Sequence, residues 1–302
     1  MSKRAKRLQR ISRRLTTHQL RRLQEKEVAL SYDDLFQRDN PQQGSAYFLG
    51  YYSPSGIHYA LENYGLFQEM KDKGFQDIKL TINTEDPYKQ RIAIHYEKKD
   101  TDHLIGELVV KRRHITIYPP FPSLIYGRDF EVIAVEWLCM QNPRAKFTAE
   151  RPMLPGQKFP GLGLGEMVME ILVIMCGRLR TAGLLNIPEH FHNAQMYSTH
   201  FRYLNPVEEG KRLAIIRDLL PNYSLSKASW AIDLGCVNEN GQLFQWQGAE
   251  QIIPLDRDLK EYFGGKDYQQ AVEAAQQSYH YELDEKKWQQ KEKDIEQYLS
   301  CS

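Results

Sequence analysis

The stretch Gln157-Lys158-Phe159-Pro160-Gly161-Leu162-Gly163-Leu164-Gly165 decides how the rest of the chain is read. Before it, residues 131–140 are apolar and β-branched enough to form a central strand, which Gln141-Asn142-Pro143 ends. After it, residues 166–180 are apolar nearly all round, the pattern of a helix buried on most faces. Alternating glycines let a backbone turn sharply and approach a ligand closely. The helix they open aims unpaired N–H groups and a positive dipole end at the turn. Such a junction suits phosphate; it equally suits close packing of a helix on a sheet. The Gly-x-Gly-x-x-Gly spacing of a dinucleotide fold is absent, and so is the Gly-Lys-Ser or Gly-Lys-Thr of a Walker loop.

Working outward toward the N-terminus, residues 57–73 have a helical pattern with Lys73-Gly74 as the stop. Residues 78–82, 91–96 and 104–110 alternate or are β-branched and read as an antiparallel meander, with 98–102 turning its last hairpin. Residues 39–56, carrying Asn40-Pro41, Gly44 and Ser53-Pro54, read as a linker. Toward the C-terminus, 184–187 is a short strand and 193–203 a helix with Ala194, Tyr197, Phe201 and Leu204 at core spacing. Residues 229–237 and 243–246 read as strands around Asn240-Gly241, a dipeptide that favours a tight hairpin. Two terminal helices follow, one with Tyr268, Val272, Ala275 and Tyr279 on a face, the other starting near Glu285 with Trp288, Ile295 and Leu299 as its stripe.

With 41% apolar and 26% charged residues in a chain of 302, one large elaborated domain with a packed core is expected. No apolar run approaches the length of a membrane span, so no integral membrane contact is expected. Cys139, Cys176, Cys236 and Cys301 lack metal or disulfide spacing and no secretory h-region opens the chain, which points to a reducing, cytoplasmic setting. Residues 1–30 hold ten Lys or Arg against Glu25 and Glu27, a net +8 that leaves −7 for the rest of a chain whose total is +1. Leu8, Ile11, Leu15 and Leu23 line one side of that segment, which reads as a basic amphipathic helix. Its partner is anionic: nucleic acid, a membrane surface, or an acidic patch of the chain itself or of another protein. A solvated basic face and a mitochondrial presequence are the other readings of the same residues.

The order strand, glycine turn, helix, strand, helix over roughly residues 78–246 resembles the GCN5-related N-acetyltransferases. In that family a strand leads into a Gln/Arg-x-x-Gly-x-Gly/Ala loop whose amides hold the coenzyme A pyrophosphate. The resemblance implies an α/β (α+β mixed) fold with a mostly antiparallel central sheet flanked by helices. The basic N-terminal helix (1–30) and C-terminal helices (264–302) are then additions to an acetyltransferase domain (31–263). It implies acetyl-coenzyme A as acyl donor and an amine as acceptor, with Cys139, Gly161, Leu162, Gly163, Leu164, Gly165 and Asn193 as coenzyme-binding residues. Pro160, or Lys158 in the other register, stands where the family has Gln or Arg, and the loop over 141–160 is longer than usual. A branch that keeps the fold as a silent coenzyme-binding or interaction module, recruited through its basic arm, is the alternative.

Acetyl transfer needs a base for the amine, donors for the tetrahedral oxyanion and an acid for the thiolate. The resemblance implies the acid is Tyr197, four residues after Asn193. Glu136, inside the apolar strand, and Glu189, after the next strand, are candidate bases, because desolvation raises a carboxyl pKa toward neutrality. Glu189-His190-Phe191-His192 invites a metal reading, but no third imidazole or thiol lies nearby, so no metal is expected and His190 reads as a proton relay. Cys139 with His190 as base is the remaining nucleophile reading, against ordinary buried packing.

Overall fold

The computed structural model describes residues 2–22 and 47–299; most of the expected linker and the arm beyond Arg22 lie outside them. The chain is mixed α/β, with mostly antiparallel multistranded sheet flanked by helices. It divides into two interleaved compact units. The first comprises Met1–His114, Glu131–Pro143 and Gly161–Leu184, the second Ile115–Phe130, Arg144–Pro160 and Leu185–Ser302.

In the first unit, α1 (Lys3–Arg14) starts at Ser2, whose hydroxyl accepts the Ala5 N–H at 3.0 Å. Of the expected apolar stripe Leu8 is fully buried, Leu15 nearly so and Ile11 half-buried, while Leu23 lies outside the described residues; Leu20, in the turn that follows, is also buried. A capping box between Thr16 and Gln19 opens α2 (Thr17–Arg21). This turn presses on α3 (Pro54–Tyr64) at Gly56, where a Cβ would sit 2.1 Å from the Leu20 carbonyl oxygen. Ser53-Pro54 is therefore helix-starting chemistry and not linker: Ser53 caps the Gly56 N–H and Pro54 takes the first helical position. The single helix expected over 57–73 is two, because Gly65 at φ +87° ends α3 and begins α4 (Leu66–Asp72).

The expected meander is present as β1 (Ile78–Asn83), β2 (Gln90–Tyr96) and β3 (Leu104–Ile117), followed by β4 (Arg128–Met140). Antiparallel register pairs Ile78 with Tyr96 and Ile92 with Leu108, with a shift at Ile94/His95. The glycine turn leads into α5 (Gly165–Leu179), which Arg180 ends in the left-handed region, and then β5 (Gly183–Asn186). Strand order within this unit is β1-β2-β3-β4-β5. Helix α1 lies along α5, held by Ser2 Oγ donating to Glu170 at 2.8 Å and by Arg178 donating to the Leu15 carbonyl at 2.9 Å.

The second unit departs further from expectation. The helix expected over 193–203 is short, α6 (Phe191–Met196), and the chain straightens into β6 (Arg202–Tyr203). A long helix follows, α7 (Pro206–Leu219), capped by Asn205. Of residues 229–237, expected as a strand, 229–233 instead finish α8 (Leu225–Asp233), started by Ser224, and Val237 alone enters a strand. The Asn240-Gly241 hairpin is present, with φ +50° and +80° at its tip, between β7 (Val237–Glu239) and β8 (Gln242–Leu243). Then come β9 (Gln251–Pro254), α9 (Arg257–Gly264), α10 (Lys266–Ser278), β10 (Tyr281–Leu283) and α11 (Glu285–Leu299). Strand β9 pairs antiparallel with β6, while β7 lies between β10 and β8 in a separate small sheet. Ile215, Trp230, Val237, Tyr281 and Trp288 centre the unit's core.

Candidate functional site

At the end of β4 the Met140 carbonyl accepts the Leu162 N–H at 2.9 Å, and Gln141 bridges to Gly161. This fixes where the turn begins and corrects one expectation: the Leu162 amide is already engaged, so anion-facing donors start at Gly163. Leu162 and Leu164 bury their side chains (3% and 1% exposed), which leaves the backbone at Gly161 and Gly163 on the outside. Gly163 has φ +75°, a left-handed conformation that glycine adopts without cost. Among the described residues no side chain caps α5, so its first N–H groups lack the usual partner there. Lys73, just past α4, brings its ammonium to 3.7 Å from where a Gly163 Cβ would stand. That cation comes from a distant part of the chain and has no local signal in the sequence. Against it, Glu166 puts a carboxylate in the first turn of α5, drawn toward Arg4 of α1 at 3.9 Å.

Two other candidates share this unit. Glu136 is not the desolvated carboxylate expected of a central strand, because it lies on an exposed face and pairs with Lys111 at 2.8 Å. Cys139 is half-buried and its thiol is pushed up to about 11, chiefly by burial and secondarily by Glu107. It stays a thiol at neutral pH, which suits packing and not nucleophilic attack.

The second unit holds Glu189, His190, Asn193 and Tyr197. Glu189 is exposed. His190, the residue before α6, has Nδ1 at 2.9 Å from Asp233 Oδ1. An ionised carboxylate can only accept, so Nδ1 carries the proton and Nε2 is left as the basic nitrogen. Gly156, at φ +75°, lies over that nitrogen, and a Cβ there would come within 2.8 Å of Nε2. His192 stacks on His190 at 5.4 Å and is held down to about 4 by burial first and by the neighbouring imidazole second. It is a neutral partner, not a second relay. Asn193 accepts the Tyr197 N–H at 3.3 Å as α6 ends, and Tyr197 is half-buried with its ring against Phe201. Helix α6 is anchored by the buried Arg212, which donates to Gln195 at 2.7 Å and pairs with Glu209. Asp233 escapes sequence reasoning because a strand over 229–237 points it elsewhere.

No family model, curated protein or solved structure matches this chain. Its chemistry is therefore argued from the residues themselves. Among the described residues no group of three His, Cys, Asp or Glu is placed to hold a metal ion, and no helix is long and apolar enough to cross a membrane.

Proposed function

We propose that the protein is an acetyl-coenzyme A dependent N-acyltransferase of the GCN5-related type. The observation that carries this reading is the uncapped N-terminus of α5, opened by a left-handed Gly163 with exposed backbone and attended by Lys73. The residues fit a pyrophosphate: amides and a dipole end face it, an ammonium complements it, and no Cβ occupies the approach. In the reaction the acceptor amine attacks the thioester carbonyl, the C–S bond breaks and an amide forms. The amine's proton passes to a base and the coenzyme thiolate takes a proton from an acid. His190, with Nε2 basic and its ring set by Asp233, is assigned the base in preference to Glu136, which is tied to Lys111, and to Glu189. Tyr197 is assigned the acid.

The silent-module alternative has one feature in its favour, the row of exposed Arg10, Arg13 and Arg14 left on α1 after its apolar side is buried. Calorimetric titration with acetyl-coenzyme A tests the main reading. The parent is expected to bind. Gly163→Val, which puts a β-branched residue in a left-handed position and a Cβ in the cradle, is expected to lose binding by at least about tenfold. Lys73→Gln strains nothing and is expected to weaken binding several-fold at low salt only, as loss of a surface charge does. Absence of binding by the parent would reject the coenzyme site.

A further inference from the structure

Helix α1 divides its surface in two. At about 100° of turn per residue, Lys3, Arg7, Arg10 and Arg14 fall within about 60° of one another and form a single line, flanked by Lys6 and Arg13. All six are exposed, while Leu8 and Leu15 on the other side are buried. Arg4 lies off this line and is drawn toward Glu166. None of the six has an ion-pair partner among the described residues.

Folding gains nothing from this arrangement. Lys3 and Arg7, Lys6 and Arg10, and Arg10 and Arg14 are like charges four residues apart, a spacing that destabilises a helix. Lys3 and Arg4 also stand in the first turn, at the positive end of the helix dipole, where an acidic residue would stabilise and none is present. Residues 1–22 contain no Asp or Glu at all. The face is equipped for a polyanion.

Two observations choose among polyanions. A helix that lies on a membrane turns apolar side chains into the acyl layer. Here Leu8 and Leu15 are buried within the first unit and Ile11 is half-buried, so the exposed face has no apolar side chain to insert. A single-strand binder stacks bases on aromatic side chains beside its cations, and α1 contains no aromatic residue. A straight row of cations remains. From Lys3 to Arg14 it covers about 16 Å of helix axis at about 1.5 Å per residue, the length over which one strand of a duplex carries about five phosphates.

We propose that the outward face of α1 docks on the phosphate backbone of duplex nucleic acid without reading its sequence. Contacts to phosphate position a protein on a duplex, and the counterions they release make the affinity steeply dependent on salt. This inference is independent of the coenzyme reading.

The test measures binding of the full chain to two unrelated DNA duplexes of about 20 base pairs, to an RNA duplex of one of those sequences, to phosphatidylserine vesicles and to poly-glutamate, at salt from about 50 to 200 mM. The parent is expected to bind duplex more tightly than vesicles or poly-glutamate, and the two DNA sequences within about twofold of each other. Its slope of log affinity against log salt should lie between about −3.6 and −5.4, as four or all six cations meet phosphate. Either kind of duplex upholds the proposal, and the tighter of the two names the source of the phosphates. Replacing Lys3, Arg7, Arg10 and Arg14 together by Gln should keep the circular dichroism and Tm and make the slope shallower by about 3.6. Should that chain melt below the parent, Arg10→Gln alone decides, with a slope shallower by about 0.9. Arg4→Gln, on the same helix but off the row, should leave the slope unchanged. No duplex binding at the lowest salt, or vesicles or poly-glutamate bound as tightly as duplex, overturns the proposal. So does an Arg4→Gln effect equal to that of Arg10→Gln, which would make the binding a matter of net charge and not of this face.

Discussion

His192 shows what a single buried imidazole does to stability. With 2% of its surface exposed and, among the described residues, no hydrogen-bond partner on Nδ1, its charged form is disfavoured by burial and its pKa falls from 6.5 to about 4. Between those values the unfolded chain holds the proton and the folded one does not. Stability therefore rises with pH across this window and is lost on acidification, by about 3 kcal/mol in all at about 1.4 kcal/mol per pH unit. His192→Gln should flatten that slope in urea unfolding at pH 4, 5 and 7. Parallel loss of stability in parent and variant would assign the acid sensitivity to other groups. The neighbouring His190 is partly exposed and has Asp233 beside its Nδ1, a partner His192 does not share.

At the level of elements, α7 and α10 touch at Gly210. A Cβ there would meet the Ala275 Cβ at 2.5 Å and the Val272 carbonyl oxygen at 2.6 Å. Gly210→Val should cost about 1–3 kcal/mol through overpacking, read as a lowered Tm. A Tm left unchanged by Gly210→Val would show that the helices do not meet at this point. None of this packing is visible in the sequence, although Asn205-Pro206 followed by Glu208-Glu209 is a local start signal for α7. What is legible has a strong local cause. Alternation marks β1 and β2, Asn240-Gly241 marks the hairpin, and the glycines before an apolar helix mark the turn into α5. What fails has a competing local reading. Ser53-Pro54 resembles a linker until it is seen capping α3. Residues 229–237 alternate like a strand, yet Ser224 caps a helix whose Ser226, Ser229 and Trp230 are all buried. In the candidate site the turn is readable because glycine spacing is local. Lys73 and Asp233 are not, because only the tertiary fold brings them to Gly163 and His190.

Across the whole molecule, charge is divided between a +8 arm and a −7 remainder. Part of the arm's demand for an anion is met within the first unit, by Glu166 beside Arg4. The outward Arg10, Arg13 and Arg14 remain exposed. Deleting the arm would uncover the surfaces that bury Leu8, Leu15 and Leu20, so charge removal is the cleaner test. Replacing the three arginines by Gln should leave Tm unchanged. The slope of log affinity against log salt for duplex DNA should become shallower by about 0.9 for each phosphate the arm no longer neutralises. An unchanged slope would take these residues out of any polyanion binding. The interleaving of the two units also has a consequence during synthesis. The first unit contains residues up to His114 but is completed only by Leu184, seventy residues later, after two excursions of the chain into the second. At about 5–20 residues per second, a ribosome leaves the β1–β3 meander without α5 for about 4–14 s. For that interval the aliphatic wall that α5 covers is open to solvent, so a nascent chain stalled before Leu184 is a substrate for chaperones, and one released there is a substrate for proteases.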